Sequence, residues 1–226
     1  MPGDAALRGA ALTAVTAGGG SSDRATPSAP AVAGTAPTPV AAPPLIVSLR
    51  FDAEGFAVLD RLRRAHFPPE RNVLAAHLTL FHALPGAREP AVREALATLA
   101  AAAAPLPIRF AHLRSLGRGV ALAVDAPALA ALRAAIADRF ASDLTRQDAQ
   151  AWRPHVTLQN KVDPAIARRT LESLSSGFQP WTATGLGLDL WRYRGGPWEA
   201  VATALFSAPS SGASSSGGSP HAPARP

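Results

Sequence analysis

His77-Leu78-Thr79-Leu80 and His155-Val156-Thr157-Leu158 are the two stretches that decide how this chain is read. Each has the look of a short strand, and on a strand residues i and i+2 share a face while their neighbours take the other. His77 and Thr79 therefore point one way, with Leu78 and Leu80 in the core; His155 and Thr157 do the same over Val156 and Leu158. A lone His-x-Thr-x is common by chance. Two copies 78 residues apart, in corresponding places of a repeated unit, are far more specific.

The repeat is visible in the periodicity on either side of the motifs. Leu45 to Phe51 reads as a buried strand, Phe56, Leu59 and Leu62 mark a helix face, and His77 to His82 is the motif strand. A helix from Pro90 to Ala103 and a strand from Ile108 to Leu116 follow, ending at Gly117-Arg118-Gly119. The order then recurs: a strand over Val120–Asp125, a helix marked by Leu129, Leu132, Ile136 and Phe140, and a strand over His155–Val162. Asp163-Pro164 opens the next helix, which stops near Gly177. Thr182–Tyr193 and Trp198–Phe206 read as a closing hairpin across Gly195-Gly196-Pro197. The pattern predicts an α+β domain of two similar halves, about 45–117 and 119–207, with antiparallel sheets, helices outside and a central cleft on a pseudo-twofold axis. On that axis two imidazoles and two hydroxyls converge.

Composition bounds the rest. The chain has 226 residues, 22 prolines, 18 glycines, one methionine and no cysteine. Disulfides, thiolate metal sites and cysteine nucleophiles are thereby excluded. Apolar residues make up 47%, enough for a sizeable core, and no apolar run reaches the length of a membrane span. Residues 1–44 and 208–226, rich in Ala, Pro, Gly and Ser, are expected to be disordered tails around a globular unit at 45–207. The formal net charge is +6, carried almost wholly by arginine, with Lys161 the one lysine. That balance favours anionic partners such as phosphates or RNA. Arg61, Arg63 and Arg64 read as a solvated helix face. No heptad seam stands out, so a monomer is expected, and a cysteine-free chain fits the cytoplasm.

Paired imidazoles suit phosphodiester chemistry. A neutral ring takes a proton from water, an imidazolium gives one to a leaving alkoxide, and threonine hydroxyls donate to phosphate oxygens. Neither a metal nor a cofactor is required. His66, His82 and His112 have no partner motif, and five-residue spacing on a strand puts His77 and His82 on opposite faces, which disfavours a zinc site there.

The twin motifs resemble those of the 2H phosphoesterases, in particular the RNA 2′,3′-cyclic phosphodiesterase and 2′-5′ RNA ligase-like group, over about Leu45 to Phe206. Arg153-Pro154-His155-Val156-Thr157-Leu158 is similar to that family's usual Pro-His-x-Thr-Leu. The resemblance implies a metal-independent hydrolase acting on 2′,3′-cyclic phosphate ends or related nucleotide phosphodiesters, with possible reverse ligase activity. It implies that His77 is the proton donor, His155 the proton acceptor, and Thr79 and Thr157 the phosphate holders. The arginine that some members carry five residues after the second histidine is Asn160 here, and Lys161 is the candidate for the missing charge. Further substrate-binding candidates are Arg153, Phe81 as a base-stacking ring, and Trp191 and Tyr193 on the penultimate strand. The alternative is an RNA- or nucleotide-binding module with the same cleft and little turnover.

Overall fold

The computed structural model describes residues 42–209. The expected tails lie outside the described residues except for 42–44 and 208–209. Seven strands and four helices form in the expected order. The first half is β1 (Leu45–Phe51), α1 (Ala53–His66), β2 (Thr79–Leu84), α2 (Glu89–Ala101) and β3 (Leu106–Ser115). The second is β4 (Val120–Asp125), α3 (Pro127–Arg139), β5 (His155–Gln159), α4 (Pro164–Ser175) and β6 (Trp181–Arg192), with β7 (Glu199–Leu205) closing the hairpin.

Local chemistry sets the boundaries. Asp52 caps α1 by accepting the Gly55 N–H at 2.8 Å, and Asp163 caps α4 by accepting the Ala165 N–H at 2.8 Å, with Pro164 in the first turn. Gly117, at φ +75, turns the chain between β3 and β4 in a conformation that side chains resist.

All strand pairings are antiparallel, in the order β2-β1-β6-β3-β4-β5. One edge of β6 runs along β1; its other edge takes β3 near Trp181–Gly185 and β7 beyond Gly187. The two sequence halves thus have mirrored places, but their third strands are exchanged. β3 pairs with β4 and β6, and β6 completes the sheet beside β1. The spatial lobes therefore do not coincide with 45–117 and 119–207, because periodicity reports which residues are buried and not which half they are buried against. The helices also cross over, α1 packing on β5 and β6 and α4 on β3 and β4.

A continuous apolar core runs through both lobes, with Leu45, Val47, Leu59, Leu80, Phe81, Ile108, Leu129, Val156 and Leu158 wholly enclosed. Each motif strand carries a bulge at the same place. Val47 faces Phe81 while Ser48 faces Thr79, and Val120 faces Gln159 while Ala121 faces Thr157, so each motif strand advances two residues for one on its partner. Leu80 and Phe81 are consequently both buried, as are Leu158 and Gln159. The alternation that places the histidine and threonine on one face is inverted immediately beyond them.

Candidate active site

His77 lies just before β2, where the Leu49 N–H still bonds the Leu78 carbonyl at 2.9 Å; His155 opens β5. The two rings are held identically. His77 Nδ1 bonds the Ala75 carbonyl at 2.8 Å, and His155 Nδ1 bonds the Arg153 carbonyl at 2.8 Å, in each case two residues back. A carbonyl only accepts, so both Nδ1 atoms carry hydrogen, and Nε2 is left for the cleft. Burial pushes His77 down to about 4, against the pull of the Ala75 carbonyl and with repulsion from Arg63 and the neighbouring histidines added. Burial lowers His155 too, with the Arg153 carbonyl opposing and Arg114 and His82 assisting. Burial thus favours the neutral form of both rings.

A cleft of about 670 Å³ takes its lining from both halves, including His77, Thr79, Arg114, Arg153, His155 and Thr157. That volume suits a nucleotide-sized ligand. The motif strands are braced from opposite halves by two buried arginines. Arg63 of α1 donates to the Thr157 carbonyl at 2.8 Å and the Leu74 carbonyl at 3.0 Å; Arg133 of α3 donates to the Leu80 carbonyl at 3.0 Å and the Asp148 carbonyl at 2.6 Å. Each guanidinium also lies over an aromatic ring, Phe67 for Arg63 and Phe81 for Arg133. Arg63 is 5% exposed, so the solvated arginine face expected of α1 is corrected at this position: fixed carbonyls in the interior give its donors partners that water would otherwise supply.

The other candidates divide. Arg153 lines the histidine cleft. Phe81 does not reach it: the bulge turns the ring into the core at 0% exposure, so it offers no face for a base. Lys161 does not share the histidine face through strand alternation, because β5 ends at Gln159 and Lys161 sits in a turn at φ +60. It lines an adjoining cleft of about 600 Å³ with Asn160, Tyr193, His77 and Thr157. Trp191 faces a third cavity, where its Nε1 donates to the Ser48 hydroxyl at 2.8 Å. Arg192 and Arg194, beside these aromatics, are both paired with Glu199.

Several site residues were not singled out by the sequence. Trp198 packs on His77 at 4.8 Å between ring centres and on Trp191 at 6.0 Å; its place at the start of the final strand gave no hint of this. Arg133, Asp148 and Trp152 form a frame under the first motif, and Trp152 Nε1 donates to the Thr79 carbonyl at 3.1 Å. His82 enters the cleft with His77 because the bulge reverses the parity that had separated them. Among the described residues no group of three or more His, Asp or Glu side chains is arranged to hold a metal ion.

The α+β domain brings both His-x-Thr stretches to one cleft. The model of the 2′-5′ RNA ligase superfamily matches residues 51–197, more than half of the chain, and the protein belongs to that superfamily of 2H phosphoesterase and RNA ligase-type enzymes. Its fold is similar to that of TT0787 of Thermus thermophilus, with a TM-score of 0.53 at 16% identity over 73% of this chain and 98% of that one. It is likewise similar to Escherichia coli LigT complexed with 3′-AMP, with a TM-score of 0.52 at 19% identity over 74% of this chain and 99% of that one. No curated protein sequence matches the chain. No helix among the described residues is long and apolar enough to cross a membrane.

Proposed function

We propose that the cleft hydrolyses 2′,3′-cyclic phosphate at RNA ends or on small nucleotides by general acid–base catalysis between two histidines. The observation that carries this reading is the matched pair of Nδ1–carbonyl bonds, at 2.8 Å in both motifs, which fixes one tautomer in each ring and reserves both Nε2 atoms for proton transfer. Water attacks phosphorus in line and the P–O3′ bond breaks. His155 Nε2 takes the water proton, and His77, as imidazolium, gives its Nε2 proton to the departing O3′, leaving a 2′-phosphate. Thr79 and Thr157 donate to the non-bridging oxygens.

Burial holds His77 near 4, so its role as acid requires the charge of the substrate. A bound phosphodiester anion supplies the opposite charge that raises both imidazoles, and the ring facing the leaving oxygen loads its proton as the ligand arrives. The two rings then provide both proton transfers without assistance from a metal. The same groups run in reverse join a 2′,3′-cyclic phosphate to a 5′-hydroxyl. The 3′-AMP bound by the similarly folded LigT fits a nucleotide as the class of ligand.

The test is hydrolysis of a nucleoside 2′,3′-cyclic phosphate in EDTA by the wild type and by His77→Ala and His155→Ala. Turnover by the wild type alone is expected. Full activity in either variant overturns the two-histidine mechanism. Ligand binding that survives both substitutions without wild-type turnover favours the binding-module alternative.

A further inference from the structure

Beyond the two motif histidines, the cleft holds a third imidazole on a purpose-built seat. His82 Nδ1 lies 3.1 Å from Asp148 Oδ1. The same carboxylate accepts the His82 N–H at 2.9 Å and the Ala83 N–H at 2.9 Å, and the Thr145 hydroxyl reaches it at 3.4 Å. Asp148 is 2% exposed, whereas the His82 side chain is 47% exposed and lines both the histidine cleft and the adjoining one. A carboxylate only accepts, so His82 Nδ1 carries hydrogen and Nε2 is turned over to the cleft. Two backbone N–H groups alone would satisfy a buried aspartate's hydrogen bonding less fully than this, and its negative charge remains directly behind the ring, where it offsets an imidazolium.

The equivalent place in the second half shows what the seat adds. Beyond the β5 bulge stands Asn160, whose side-chain oxygen is turned back to the Lys161 N–H at 2.8 Å with no carboxylate behind it. The asymmetry lies at the junction of the two clefts, beside His77 and Thr157.

We propose that His82, seated on Asp148, is a third phosphate-binding group of this cleft: the Asp148 carboxylate behind the ring and an arriving phosphoryl anion in front of it together hold a proton on Nε2, which donates to a non-bridging oxygen. The inference shares with the proposed function an anionic phosphoryl ligand but does not depend on turnover. Asp148 is a positioning residue: it holds the ring's orientation and balances its charge without touching the ligand. Arg114 and Arg153 also line the cleft, so the phosphoryl group meets a cationic surface and not a single cation.

The experiment is calorimetric titration of the full chain with inorganic phosphate, adenosine 2′-monophosphate and adenosine, for the wild type, His82→Gln and His82→Arg. His82→Gln is expected to weaken both phosphate ligands by on the order of 10-fold, as befits loss of one charge-assisted hydrogen bond, and to leave adenosine unchanged. His82→Arg should restore most of the loss. Asp148→Asn should weaken phosphate as His82→Gln does; if it fails to fold, the Gln and Arg variants decide. Phosphate binding by His82→Gln equal to that of the wild type, or an equal loss for adenosine, overturns the proposal. A wild type that binds phosphate through His82 but leaves the cyclic phosphate intact removes the proposed reaction and retains this site. Turnover with phosphate binding indifferent to His82 does the reverse.

Discussion

The two halves of the molecule repeat each other closely at the motif and part company one residue beyond the bulge. Both histidines bond the carbonyl two residues back, both threonines precede a bulge, and both motif strands are clasped by an arginine from the opposite half. Past the bulge, the first half has His82 on a buried aspartate and the second has Asn160 in a turn. Trp198 covers His77 and has no counterpart on His155 among the aromatic contacts of the described residues. Shared geometry gives two imidazoles held alike; the differences in their surroundings are what can assign them separate tasks.

The strongest way to break the comparison is to remove the motif histidines one at a time. His77→Ala and His155→Ala should each lower kcat by about 10²–10⁴, the range for a positioned general acid or base, measured on a nucleoside 2′,3′-cyclic phosphate. Losses that differ by orders of magnitude would show that the resemblance of the two sites is only geometric.

The cross-bracing is tested by stability. Arg63→Leu strips donors from two half-buried carbonyls and Arg133→Leu from two buried ones, and urea unfolding should show a loss of about 2–5 kcal/mol for either. Near-equal losses support equivalent braces; a small loss at one would make that half's motif self-supporting.

Titration probes the surroundings directly. His77 is held near 4 when folded and has its ordinary value near 6.5 when unfolded, so the unfolded chain binds more protons between those values. Its contribution to stability is therefore complete above about 6.5 and is lost as pH falls toward 4. Denaturant midpoints between pH 7 and pH 4 should fall less steeply in His77→Gln than in the wild type. The smallest expected effect is at Trp198. Trp198→Leu admits water to one face of His77, and the ring's proton-binding midpoint, followed by NMR, should rise toward its ordinary value while that of His155 stays in place.

Much of this was legible in the sequence, and the remainder was hidden for identifiable reasons. Periodicity located the seven strands and four α-helices of the described residues, and the twin motifs located the cleft, because both depend on local spacing alone. The exchange of β3 and β6 leaves no local trace, since a buried strand reads the same beside either neighbour. A single extra residue in the first motif strand misdirected the reading of Phe81 and His82, because parity carries no sign of a bulge, and Lys161 was misread because β5 ends at Gln159 before alternation can reach it. Trp198 and Asp148 join the site across 121 and 66 residues respectively from His77 and His82, and such contacts are made by the fold and not by spacing.

The exchanged strands also govern when the cleft can come into being. β1 leaves a ribosome well before its long-term neighbour β6, which ends only at Arg192, so an unsheltered edge persists through most of synthesis. A nascent chain carrying the first motif alone has neither the second imidazole nor Arg133 to hold the strand that bears the first. The complete cleft therefore needs both halves, since β6 lies between β1 and β3, and fragments cut between the halves should lack it until they are mixed and reassociate.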